Sequence, residues 1–153
     1  MKMKVLMVCL GNICRSPLAE GILASKVNPD HVFVDSAGTA GYHVGNPPDP
    51  RSIEVAKTHG LNIGHQRCRK FSVDDFEEFD HIYVMDKSNY ANVLHLATSE
   101  KNAKKVRLLL SELNGNEKEV PDPYYGGDEG FEKVYQLIDS VCDVIAKKLD
   151  SHG

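Results

Sequence analysis

Nowhere in its 153 residues does the chain approach the ~18 consecutive apolar residues that a membrane-spanning helix requires, so no membrane partner is expected. Met1-Lys2-Met3-Lys4 followed by apolar residues imitates a secretion signal. The apolar run, however, extends only from Val5 to Leu10 before Gly11, Asn12 and Arg15 interrupt it, and it reads as a first strand instead. Cysteine is scarce: the four residues at positions 9, 14, 68 and 142 form no disulfide framework, and a reducing, cytoplasmic setting is expected. These four cysteines and the seven histidines show no zinc-ligand spacing, so no metal is expected. There is no bank of basic residues; Lys and Arg are dispersed and the net charge is -4, which argues against nucleic acid as the main partner. The Gly-Lys-Ser/Thr of a nucleotide-binding loop is missing too. Without repeats, low-complexity tracts or a linker, residues 1–153 are expected to form one domain, long enough to bury a core.

What the chain does have begins at Val5-Leu6-Met7-Val8, an apolar run with the length and residue types of a buried strand. Ser16-Pro17 reads as a helix N-cap followed by proline in the first turn, and the Ser16 hydroxyl can also donate to a thiolate at Cys9. Cys9 therefore sits at a strand end, facing a helix N-terminus across the short loop Leu10-Gly11-Asn12-Ile13-Cys14. Backbone N–H groups of such a loop, together with the positive end of the helix, suit an anion. The guanidinium fork of Arg15 adds two donors for anion oxygens, and the same positive surroundings favour Cys9 as thiolate. Asn12 tolerates the left-handed backbone that an inward-curling loop needs, and Gly11 admits close approach of the anion.

Further along, Leu18, Ala19, Ile22, Leu23 and Val27 keep helical spacing until Asn28-Pro29-Asp30, and Val32-Phe33-Val34 is a short strand. A long Gly- and Pro-rich loop from Ala37 to Pro50 leads into a second helix, capped by Asp49 and closed by His59-Gly60. Ser72-Val73-Asp74-Asp75 resembles a capping box, and His81 to Met85 is a third strand ended by Asp86. A helix from Ser88 to Ala97 and a fourth strand from Val106 to Leu110 follow. Phe131 to Leu149 keeps a 3.6-residue period, with Lys147-Lys148 in the last turn of a final helix. Alternating strands and helices give an α/β fold with a parallel sheet, in which ligands bind beyond the carboxyl ends of the strands.

Cys9-x5-Arg15-Ser16 near the start, joined to Asp122-Pro123-Tyr124-Tyr125 near the end, resembles the low-molecular-weight protein tyrosine phosphatases. Asp35-Ser36, Asn46-Pro47-Pro48-Asp49-Pro50-Arg51, His59-Gly60 and Met85-Asp86 fall where that family has similar segments. The resemblance implies a single-domain, three-layer, flavodoxin-like fold with four parallel strands in the order 2-1-3-4 and helices on both faces. It implies hydrolysis of phosphotyrosine through a cysteinyl-phosphate intermediate without a cofactor, on a phosphotyrosine protein or peptide, by a monomer or weak homodimer. Cys9, Arg15 and Asp122 would be catalytic, with Asp122 first the general acid and then the general base. Leu10, Gly11, Asn12, Ile13, Cys14, Arg15 and Ser16 would hold the phosphate; Asn12, Ser16, Ser36 and His65 would form a network under the loop; Ile13, Tyr42, Tyr124 and Tyr125 would surround the substrate ring.

Asp122 also fits an ordinary Asx turn, and Asp49 occupies a second Pro-Asp-Pro. Helical sequence follows Asp49, which suits a cap, whereas two aromatics follow Asp122 and could wall a flat ring. Other readings stay open at the level of sequence. A thiol-dependent arsenate reductase would need a relay of cysteines beyond the unaccompanied Cys68. Phosphoarginine phosphatases carry Thr where this loop has Ile13, and a phosphopeptide-binding module would not need Asp122. Cys14 is expected to intercept an oxidised Cys9 as a disulfide, giving reversible inactivation.

Overall fold

The computed structural model describes residues 2–125 and 128–152. Its layers follow from the strand Met3–Cys9 (β1), in which Val5, Leu6, Met7 and Val8 are all fully buried. A strand buried on both faces must be central and covered on each side. Because side chains alternate along a strand, Val5, Met7 and Cys9 enter one core, and Leu6 and Val8 enter the other. The first core is closed by Leu18, Ile22 and Leu23 of the helix Arg15–Lys26 (α1) and by Phe131, Val134, Ile138 and Val141 of the C-terminal helix Asp128–His152 (α6). The second gathers Phe71, Phe76 and Phe79 with Ile82, Val84 and Val93. Each fully buried large apolar side chain contributes roughly 1.5–3 kcal/mol relative to exposure.

The remaining strands are Val32–Gly38 (β2), His81–Val84 (β3) and Val106–Leu108 (β4). All pairings are parallel and the order is β2-β1-β3-β4, the order that the resemblance implied. The chain leaves β1 toward β2 on one side and returns to β3 on the other, so the crevice expected at the switch point lies at the carboxyl end of β1, where Cys9 stands.

Local signals account for most boundaries. The helix Pro50–Thr58 (α2) is capped by Asp49, which accepts from Arg51 N at 2.8 Å, and ends at His59 with Gly60 at φ +83°. The short helix Asp75–Glu78 (α3) has half of the expected capping box: Asp75 reaches back to Ser72 N at 2.9 Å. The helix Lys87–Leu96 (α4) starts one residue earlier than expected because Asp86 caps it. Glu100–Lys104 (α5), capped by Ser99, was not expected, being too short to show a period.

β4 stops at Leu108, two residues earlier than expected, and Leu109–Glu112 forms a 3-10 turn. Leu109 and Leu110 are both fully buried in the same core. A continuing strand would have sent them to opposite faces. Among the described residues, no helix is long and apolar enough to cross a membrane.

Candidate active site

Beyond Cys9 the chain curls through residues 10–14 and enters α1 at Arg15. Asn12 alone among the described non-glycine residues has a positive φ, +58°, the conformation its residue type was expected to supply. One expectation needs correction: Ser16 is not the helix cap. Cys14 occupies that position and makes no side-chain cap, while Ser16 lies in the first turn, fully buried, with Oγ 3.0 Å from Cys9 Sγ. Its hydroxyl has a nearer use at the sulfur. The first amides of α1 thus keep no side-chain cap, the condition under which a helix N-terminus holds an anion.

A cavity of about 310 Å³ opens above this loop, lined by Cys9, Leu10, Gly11, Ile13, Cys14, Arg15, Tyr42, His43, Asp122 and Tyr124. Arg15 is only 3% exposed. Its Nη1 donates to Asp86 Oδ2 at 2.7 Å and to the Val120 carbonyl at 2.9 Å. Nη2 stands 3.7 Å from Asp122 Oδ2. Burial works against the charge on Arg15, but Cys9, Asp86 and Asp122 outweigh it and hold the guanidinium cationic. With Nη1 committed to the protein, the Nε–Nη2 edge is left for two oxygens of a bound phosphate. Asp86, which the sequence showed as the end of a strand and part of the resemblance but with no role, does two jobs: Oδ2 positions Arg15 and Oδ1 caps α4.

Asp122 sits in a turn with one oxygen directed into the cavity. Oδ1 accepts from Tyr124 N at 3.0 Å in an Asx turn, and Oδ2 is turned toward Arg15 and the cavity. Ile13, Tyr42 and Tyr124 stand on the cavity wall, Tyr42 being 75% exposed, whereas the side chain of Tyr125 lies outside the described residues. His43, not singled out from the sequence, joins them and lies against Gly11. Cys14 is a buried thiol whose pKa is pushed up to about 12 by desolvation first, then by Asp49 and Cys9. Among the described residues no cluster of side chains is arranged to hold a metal.

A family profile described as low molecular weight phosphotyrosine protein phosphatase matches residues 4–153, nearly the whole of this loop, cavity and sheet. The chain belongs to that family. The phosphatase is 43% identical over 145 residues to a putative low molecular weight protein-tyrosine-phosphatase of Synechocystis, covering 92% of each chain. It is 41% identical over 149 residues to the human low molecular weight phosphotyrosine protein phosphatase, covering 94% of each. Among solved structures it is similar to a protein tyrosine phosphatase of Entamoeba histolytica, with TM-score 0.92, 36% identity and 99% of both chains covered. It is accordingly a phosphoric monoester hydrolase acting on phosphoproteins.

The loop of the phosphatase is held from below. The left-handed conformation of Asn12 costs on the order of 1 kcal/mol, and four hydrogen bonds of about 1 kcal/mol each outweigh it. Asn12 Nδ2 donates to Ser16 Oγ at 2.8 Å and Ser36 Oγ at 3.0 Å. Its Oδ1 accepts from Arg69 N at 3.0 Å, and its carbonyl accepts from Cys68 Sγ at 2.8 Å. Cys68 is therefore accounted for as a thiol bracing the loop. At Gly38 a Cβ would fall 2.8 Å from the Leu10 carbonyl oxygen and 3.0 Å from Asn12 N, so only glycine lets β2 end directly beneath the loop.

His65 takes no part in this network, contrary to expectation; it is exposed. The next residue, Gln66, is the buried one, and its Nε2 donates to the Pro17 carbonyl at 3.1 Å. Ile63, 1% exposed and packed tightly against Gly21, fixes which residue of this segment turns inward.

The network ends instead on Glu20, which accepts from Ser36 Oγ at 2.6 Å. Burial raises the Glu20 pKa to about 7; the Ser36 hydrogen bond and Arg69 oppose the rise and Asp35 adds to it. A carboxyl with a folded pKa above its unfolded value contributes stability that is full below about pH 4.5 and is lost as pH rises through about 7. Glu20→Gln is expected to be more stable than the wild type at about pH 8, by on the order of 2 kcal/mol, with the advantage vanishing toward about pH 5. Urea unfolding across that range measures it. A difference independent of pH would show that Glu20 does not titrate in this window.

Proposed function

We propose that the phosphatase cleaves phosphotyrosine through a phosphorylated Cys9. Cys9 Sγ attacks phosphorus while the bond to the tyrosine oxygen breaks, and Asp122 gives that oxygen its proton. Water then attacks the cysteinyl phosphate, Asp122 takes its proton, the sulfur–phosphorus bond breaks, and inorganic phosphate and the thiolate are regenerated. Throughout, the amides of Leu10 to Ser16 and the free edge of Arg15 hold the equatorial oxygens, and Ser16 Oγ supports the thiolate between turnovers. The observation carrying this reading is that a single cavity is lined at once by Cys9, Arg15 and Asp122. The four cysteines, all free, suit the reducing cytoplasm in which such a thiolate persists.

Ile13, Tyr42 and Tyr124 on the wall support selection for a flat ring. Cys9 is 3% exposed, so the phosphate must reach a deep floor. A phosphotyrosine side chain spans that depth with its peptide left at the rim; a phosphoserine side chain is too short. On paired peptides differing only in the phosphorylated residue, kcat/KM for phosphotyrosine is expected to exceed that for phosphoserine by at least about 10²-fold. Equal values would overturn the ring assignment.

Cys14 carries the redox part of the proposal. Peroxide oxidises Cys9 to sulfenic acid, which the neighbouring Cys14 thiol captures as a disulfide with loss of water, and a dithiol reductant restores activity. Mass spectrometry of peroxide-treated protein is expected to find a Cys9–Cys14 linked peptide. Sulfonic acid at Cys9 without any linked peptide would contradict the capture.

A further inference from the structure

Arg51 is not among the residues lining the catalytic cavity, yet it touches the segment that carries the acid. It is the second residue of α2, and the capping residue Asp49 grips it by both carboxylate oxygens. Nε lies 3.2 Å from Oδ1 and Nη2 lies 3.2 Å from Oδ2, while the Arg51 amide donates to Oδ1 at 2.8 Å. The guanidinium so held is presented to two rings. Its central carbon lies 5.3 Å from the centroid of Tyr124 and 4.7 Å from that of Phe131.

Neither ring is incidental. Phe131 belongs to α6 and is 1% exposed, a fixed wall of the core. Tyr124 is half exposed and lies two residues beyond Asp122, and its amide closes the Asx turn that orients the Asp122 carboxylate. At the other end of the chain of contacts, Asp49 N donates to the Ile13 carbonyl of the phosphate loop at 2.8 Å. A continuous path thus runs from the phosphate loop through Asp49 and Arg51 to Tyr124 and the acid.

We infer that Arg51 is a positioning residue that sets the acid-bearing turn at Asp122 against the phosphate loop. Arginine suits the task because its planar cation can be held edge-on by one carboxylate while its face lies against aromatic rings. The inference rests on Asp122 being the proton donor.

Arg51→Leu removes the ion pair and the cation while retaining bulk against Phe131. A contact of this exposed kind corresponds to about a three- to fivefold effect. The effect should fall on kcat/KM for phenyl phosphate, whose leaving group needs the proton. It should largely spare para-nitrophenyl phosphate, and competitive inhibition by inorganic phosphate should not change. Arg51→Lys should recover part of the loss, and in an Asp122→Asn background Arg51→Leu should leave the ratio of the two substrates unaltered, because the group it positions is gone. Arg51→Gln, which keeps a planar polar head without the charge, serves in place of the leucine variant if thermal melting shows that variant unfolded.

Equal losses for both substrates in Arg51→Leu, or a further change of the ratio in the Asp122→Asn background, would overturn the inference and leave Arg51 a structural residue. If Asp122→Asn shifts the ratio and Arg51→Leu does not, only the positioning role fails. If Asp122→Asn itself leaves the ratio unmoved, the assignment of the acid fails, and the positioning role falls with it.

Discussion

Cys9→Ser is expected to lower turnover of any phosphate monoester by about 10⁴-fold or more, because a neutral hydroxyl replaces the attacking thiolate. Binding of inorganic phosphate should stay within a few-fold of the wild type. The cradle is made of loop amides, the start of α1 and Arg15, and serine leaves these untouched. Arg15→Ala should lose both properties. It removes the phosphate's charged partner and abandons Asp86 Oδ2 and the Val120 carbonyl, which Arg15 now satisfies at 2.7 and 2.9 Å. Steady-state kinetics with phosphate as competitive inhibitor separates the two outcomes. Turnover of Cys9→Ser within tenfold of the wild type would remove the covalent route.

Asp122→Asn is the second large effect. Loss of a positioned general acid costs roughly 10² to 10⁴ in rate when the leaving group must be protonated. The loss in kcat/KM is expected to reach about 10²-fold for phenyl phosphate and to be far smaller for para-nitrophenyl phosphate, whose phenolate leaves unaided. Asparagine retains an oxygen for the Tyr124 amide, so the Asx turn that shapes this segment survives the substitution. The comparison therefore isolates the proton from the fold of the loop. A dependence on leaving group indistinguishable from the wild type would transfer the role to another residue.

How much of this was legible in the sequence depends on the range of the interactions involved. Val5 to Val8 and the period from Phe131 to Leu149 are local patterns, and they located the central strand and the last helix. Asp49 capping α2 and Gly60 behind it are equally local, since each acts on amides within a few residues.

Errors arose where a distant group competes for a side chain. Ser16 reads both as a cap and as a partner of the Cys9 thiolate, and with the sulfur 3.0 Å from its Oγ only the second is found. His65 and Gln66 differ by one position, and only the packing of Ile63 on Gly21 decides between them. Asp86 and Arg51 showed only as parts of segments that carry the resemblance, and their roles did not: Arg15 lies 71 residues from Asp86, and the rings that face Arg51 belong to Tyr124 and to Phe131 of α6. Leu109 and Leu110 extend the apolar run of β4 in sequence, but both enter one core, and only the fold shows that the strand stops before them.

The central claim is that the phosphoryl group passes through Cys9, and rapid acid quenching during turnover of a phosphotyrosine peptide tests it most directly. Peptide mapping by mass spectrometry is expected to find one phosphoryl group on the sulfur of Cys9 in the wild type, formed within the first turnover and absent from Cys9→Ser. Phosphate found on any other side chain, or first-turnover release of tyrosine and phosphate in step with no phosphorylated protein, would contradict the account.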